Sequence, residues 1–245
     1  MGLLFFASVD LDHRILPLTT VALAPLDLAA LLCSRVCHDV ISPVGAIVNG
    51  LEVLDAEEDP EMREIAMDLI KKSAASASAR IQFCRLAFGA AGSLTAAIDT
   101  GDAENVARGL LSNERTTLQW NVPRRLVPKN LVKLCLNLCL IGSAAIPRGG
   151  VLSVSLDGDE RVAAIRVDAD GVNARLSQAV AKLFSGEPIE TIDAHLIQPY
   201  YASLLAEQCG MEIAATASAE RITVAATLAD RGSEAASTPT ASLSA

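Results

Sequence analysis

Aromatic side chains are scarce in this chain: they make up 3% of 245 residues, with one tryptophan and two tyrosines. A core with so few rings has to be aliphatic, and abundant alanine biases it towards helix. Excess positive charge is missing as well. Twenty lysines and arginines stand against 29 aspartates and glutamates, for a formal charge of −9 and a pI near 4.8. That balance argues against a dedicated nucleic-acid binder, which normally carries a basic face. None of the six cysteines has zinc-type spacing. Nothing suggests a disulfide framework, so a reducing cytoplasm fits. The opening MGLLFFASVDLDHRILPL has no basic leader and is interrupted by Asp10 and Asp12. The other greasy run, Leu131 to Ile146, is short and carries Lys133 and Asn137, so no membrane span is expected.

What is present is one long periodic stretch, LAALLCSRVCHDVISPVGAIVNGLEVL, from Leu28 to Leu54. At about 100° per residue, the helical step, Leu32, Val36, Val40, Val44, Ile47, Leu51 and Leu54 form one apolar stripe. His38 falls on the far side among Ser34, Arg35, Ser42, Gly45, Asn49 and Glu52. Cys33 and Cys37 turn towards the stripe, away from His38. They therefore read as small core residues rather than as metal ligands beside the histidine. Asp39 is positioned to accept a hydrogen bond from one ring nitrogen, fixing the tautomer and leaving the other nitrogen nucleophilic. Arg35, one turn earlier, has two partners open to it, phosphate oxygens or Asp39. Ser42 is a donor one turn later. Pro43 removes an N–H and bends the helix. Gly45 costs about 1 kcal/mol of helix propensity relative to alanine, which suggests a gap where another protein comes close.

His38-Asp39-Val40-Ile41-Ser42-Pro43, continued by Ala46-Ile47 and Asn49-Gly50-Leu51-Glu52, resembles the H-box of the dimerising phosphoacceptor domain of histidine kinases. The Asn-Gly-Leu-Glu continuation is most similar to the alphaproteobacterial histidine phosphotransferases of the ChpT type, over roughly residues 25 to 228. That resemblance implies His38 as the phosphoryl carrier and Asp39 as its acid–base and orienting partner. Arg35, Ser42 and Pro43 would support them, and Gly45, Asn49 and Glu52 would lie where a receiver domain docks. It implies receiver domains as partners: a hybrid kinase of the CckA type as donor, with CtrA-like and CpdR-like regulators as acceptors. The receivers bring their own Mg²⁺, so no cofactor or metal site is needed in this chain.

The domain plan follows from composition and period. Residues 1–22 read as a flexible arm that includes His13. Residues 23–91 form a helical hairpin whose first helix, Leu26 to Asp55, is about 45 Å long. Asp59-Pro60-Glu61 starts the second helix, with an N-cap, a proline at the first position and an early acid. Its expected inward positions are Met62, Ile65, Leu69, Ser73, Ser76 and Phe83. Two such helices cannot hide both apolar stripes, which points to a homodimeric four-helix bundle.

Residues 92–228 read as an α/β sandwich. Helices are expected at Glu104–Leu111, Pro128–Ile146, Ala174–Phe184 and Leu196–Cys209. Strands are expected at Thr116–Trp120, Val151–Leu156, Arg161–Val167, Met211–Ala217 and Ile222–Leu228. This order resembles the histidine-kinase (Bergerat/GHKL) ATPase domain, giving an α+β chain overall. The nucleotide-holding parts are degenerate. Of the asparagine-rich helix only Asn137 is left in LCLNLCLIGS, Asp168-Ala169-Asp170-Gly171-Val172 replaces a glycine-rich box, and HLIQPYYASLL, with His195, replaces the lid. One glycine does not let a backbone approach phosphates. Residues 229–245 read as a disordered tail. The expectation is a cytoplasmic phosphotransferase. The alternatives are a kinase-like scaffold that binds receivers without carrying phosphate and, less favoured, an ATP-dependent histidine kinase.

Overall fold

The computed structural model describes residues 22–89, 96–158 and 161–229. Most of the expected arm, with His13, and all but the first residue of the expected tail lie outside the described residues.

Helix α1 spans Pro25–Ala56 and α2 spans Pro60–Ala87, each with proline in its first turn. The Asp59 carboxylate accepts from the Glu61 amide at 3.0 Å, capping α2 as its sequence requires. The Arg63 guanidinium ties the turn by donating to the carbonyls of Leu54 and Glu57. Small residues then bring the helices together. A Cβ on Gly50 would lie 2.6 Å from Ile70 Cγ1, and Pro43, Ala66, Ser73 and Ala77 are buried along the same seam. Helix α1 runs unbroken through Pro43.

This seam corrects several expectations. Met62, Ile65 and Leu69 do not point inward; they are exposed, as are Cys33 and Cys37. Val44 and Leu51 keep 43% and 48% of their surface in water. The physical reason is that alanine, serine, glycine and proline took the contact line, where close approach is possible, and left larger side chains on its flanks. By helical phase those flanks differ. Cys33, Cys37, Ile41, Val44, Val48 and Leu51 recur every three or four residues on the side of α1 away from Asp39, with Leu26 seven residues before them on the same flank. Val53 on α1 and Met62, Ile65 and Leu69 on α2 lie on the His38 side. By length and apolar composition α1 is also long enough to cross a membrane. One flank of it, however, carries Arg35, Asp39, Asn49 and Glu52.

The rest of the chain forms a mixed sheet backed by helices. Strand β1 (Ala97–Asp99) leads into α3 (Thr100–Leu111), and β2 (Thr116–Asn121) and β3 (Leu126–Pro128) precede α4 (Lys129–Ala145). Then come β4 (Gly150–Asp157), β5 (Ala164–Asp170), α5 (Gln178–Ser185), α6 (Ile197–Gln208), β6 (Met211–Ala217) and β7 (Arg221–Leu228). The five-stranded order is β2-β4-β5-β7-β6, antiparallel except for β2–β4, and β1–β3 make a separate ribbon. Leu152, Val154 and Leu156 alternate inward against α4, giving a two-layer sandwich. Helix α4 is the core element, with Leu134, Leu136, Leu138, Cys135 and Cys139 all buried as the sequence suggests. The turn into β4 needs glycine, since Gly149 and Gly150 both have positive φ and a Cβ on Gly150 would strike the Asp170 carbonyl.

The hairpin is not a separate body. Phe83 and Ala87, in the last turns of α2, have no exposed surface and belong to the sandwich core. Asn137, fully buried in α4, donates to the Ala87 carbonyl at 3.3 Å and to Lys133 O at 2.9 Å. Gln198 of α6 donates to Asn137 Oδ1 and O at 3.1 and 2.9 Å. Just ahead of α1 the Leu23 amide donates to the Tyr200 hydroxyl at 3.3 Å. Asn137→Ala removes the centre of this network and strands the Gln198 amide in the core. It should lower stability by about 2 kcal/mol. A urea titration would read this as a lower midpoint at unchanged slope, and an unchanged midpoint would show that the network does not hold the joint.

Candidate functional site

His38 stands about three and a half turns into α1 with 84% of its side chain in solvent. Nothing in the protomer demands that exposure except the helical phase fixed by Pro43 and Gly50. Its Nδ1 lies 3.5 Å from Asp39 Oδ1, at the outer limit of a hydrogen bond, and that leaves Nε2 turned to water. Asp39 is more enclosed, and its other oxygen accepts from Arg35 Nε at 3.0 Å. Of Arg35's two open partners, the structure selects Asp39. The ion pair braces a carboxylate that in turn faces the ring, a base–orienter arrangement.

The remaining expected residues share this flank to different degrees. Ser42, Asn49 and Glu52 are exposed, while Pro43 is buried against α2 and serves the packing. A Cβ added at Gly45 would meet nothing within 4 Å, so the protomer leaves this position uncovered. His195 is exposed before α6, its amide held by the Asp193 carboxylate at 2.8 Å, which gives it a local structural setting. Among the described residues no group of three or more histidine, cysteine or acidic side chains is arranged to hold a metal ion.

Two residues of α2 that the motif did not reveal also belong here. Cys84 is half-buried beneath the pair. Burial, and then the Asp39 carboxylate, push its thiol above the ordinary value, while Arg35 and Arg80 pull the other way. The charges of Asp39, Arg35 and Arg80 therefore converge on one thiol. A sequence signal existed: the short turn makes the helices near mirror images, so Arg80 stands about as far from the turn as His38.

Where the sequence resemblance sets a degenerate nucleotide site, the polar groups are turned on one another. Asn137 is consumed by the hydrogen bonds described above. Burial opposes the charge of Asp168, but Arg166 at 2.8 Å and the Thr223 hydroxyl outweigh it and hold the carboxyl below its usual range. Asp170 pairs with Arg221.

Residues 100–221 match the family model for the histidine phosphotransferase C-terminal domain. Over 210 residues, 84% of this chain and 98% of the relative, the sequence is 53% identical to protein phosphotransferase ChpT of Brucella abortus (strain 2308). This chain belongs to the ChpT family of histidine phosphotransferases. A solved bacterial phosphotransferase agrees in three dimensions, with a TM-score of 0.77 at 52% identity over 84% of this chain and 98% of that one. A phosphotransferase of a phosphorelay needs an accessible carrier atom, and in this ChpT-family member His38 is the described histidine with a braced carboxylate at its ring.

Since solvent surrounds Gly45, Gly45→Ala should raise the melting temperature modestly, with a gain of up to about 1 kcal/mol. A lowered melting temperature would mean that the position is packed.

Proposed function

We propose that this phosphotransferase works through phospho-His38, shuttling a phosphoryl group between receiver-domain aspartates. The observation that carries the reading is the exposed imidazole whose Nδ1 faces Asp39. In the forward step Nε2 attacks the phosphorus of the receiver's acyl phosphate. The N–P bond forms as the P–O bond breaks, and the receiver's carboxylate leaves with the electron pair. Nδ1 keeps its proton, and Asp39 balances the positive charge developing on the ring. The reverse step loads the next receiver. Such chemistry asks for in-line positioning and charge stabilisation, and the receiver supplies Mg²⁺. Gly45, Asn49 and Glu52 leave room for it along α1, and exposed Met62, Ile65 and Leu69 offer it an apolar edge on α2. The partners implied are a CckA-type hybrid kinase as donor and CtrA-like and CpdR-like regulators as acceptors, in cell-cycle control in the cytoplasm.

Two further parts belong to this reading. The chain is not an ATP-dependent kinase: Asn137, Asp168 and Asp170 are committed to internal partners, and the glycine boxes are missing. It is also a homodimer. The exposed apolar flank of α1, from Leu26 to Leu51, has the spacing of a helix–helix seam, and a second copy of the hairpin completes a four-helix bundle.

Mixing the protein with a phosphorylated receiver should place acid-labile, base-stable label on it. His38→Ala should abolish the label without loss of fold, Gly45→Arg should fold yet lose transfer, and ATP with Mg²⁺ should label nothing. Label persisting on His38→Ala would move the site, and label from ATP would restore the kinase alternative.

The wild type should scatter light as a dimer, with Cys33 and Cys37 slow to alkylate. Val44→Glu or Leu51→Glu should yield monomer or unfolded chain, since an unpaired buried charge costs several kcal/mol, and should speed that alkylation. A monomeric wild type would refute the bundle.

A further inference from the structure

Two antiparallel helices advance equally past each other, so contacts near their turn fix which residues stand level farther down. The Leu54 carbonyl accepts from Arg63, and Gly50 lies on Ala66 and Ile70. Continuing that register for three turns brings Arg80 on α2 level with His38 on α1. By phase Arg80 flanks the inner line of Ser73, Ala77 and Cys84, on the side where Asp39 and Arg35 emerge. The convergence of Asp39, Arg35 and Arg80 on the Cys84 thiol places the same groups together independently.

The guanidiniums of this site are used differently. Arg35 is committed to Asp39. Arg80 Nε is buried and has no hydrogen-bond partner, the state of a donor whose acceptor is absent at rest. In the resting site Arg35 and Asp39 cancel. A phosphoryl group on Nε2 places up to two negative charges on its oxygens; the positive ring, still protonated at Nδ1, faces Asp39, and with Arg35 held by Asp39 those oxygens have no side-chain cation of their own.

We propose that Arg80 is the second cation of the phosphoacceptor site, its guanidinium pairing with the phosphoryl oxygens on His38 while Arg35 keeps Asp39 in place. This rests on the reading of His38 as phosphoacceptor. Arg80 makes and breaks no bonds; it offsets charge during the transfer described above.

The test uses the full-length chain, a ³²P-labelled phosphorylated receiver, and Arg80→Gln and Arg80→Lys beside the wild type, with melting temperature and size checked for each. Arg80→Gln should acquire label ~30-fold more slowly, or ~2 kcal/mol in the barrier, and Arg80→Lys should recover most of the rate. Wild-type transfer by folded Arg80→Gln would overturn the proposal, as would equal slowness of folded Arg80→Gln and Arg80→Lys, because shape rather than charge would then matter. A second readout does not depend on the variants folding. The ¹⁵Nε resonance of Arg80 in the wild type should shift on phosphoryl loading and stay put in His38→Ala, and an unmoved resonance in loaded protein would equally refute it. A wild type that takes no label, or label on His38→Ala, would strike the phosphoacceptor reading itself and be recognised as such.

Discussion

One helix has one circumference, and α1 divides it three ways. Proline and glycine set one side against α2, which fixes the rotation of everything else. Roughly a third of a turn to one side stand Cys33, Val44 and Leu51; about as far to the other stands His38. Rotating the helix by a single residue step would carry the imidazole into the half-enclosed place that Asp39 holds, or turn the Asp39 carboxylate out into water. The close contact at Gly50 is therefore what keeps the imidazole in water with the Asp39 carboxylate half enclosed. Only Gly50 allows that contact without displacing Ile70.

Much of this was legible in the chain itself. The 3.6-residue period located α1 to within a residue at each end and put His38 opposite the stripe, and Asp59-Pro60-Glu61 marked where α2 begins. What period alone does not tell is which apolar flank is covered from within the chain. That is why Met62, Ile65 and Leu69 read as inward although smaller side chains hold the contact line. It is also why Cys33 and Cys37 read as core although the protomer leaves them exposed. The three-residue strands β1 and β3 carry too few side chains to show alternation, so they were missed. The starts of the helices α3 and α5 were misjudged by about four residues because Asp99 and Ser177 cap them where hydrophobic period is weak. Arg80 was invisible for another reason. Its meaning depends on the pairing of two helices, and no local motif encodes a register.

The α/β domain shows polar residues given structural work. Asn137 and Gln198 satisfy each other in a core that is otherwise aliphatic, and Asp168 and Asp170 are neutralised by arginines on their own sheet. A buried amide network is stable only when every member has a partner. Its value lies in rigidity, because the same residues grip the base of the hairpin and set the height of His38 above the sandwich.

That grip also dictates the order in which the molecule can be completed. The Leu23 amide closes on the Tyr200 hydroxyl across 177 positions of chain, and Asn137 reaches Ala87 across 50. Helix α1 precedes α4 and α6 in the chain, so it is made before the partners that close its base. The hairpin can form early from local contacts. Its base stays open until α4 and α6 exist, so the final step is a slow, long-range closure of the kind that high contact order imposes.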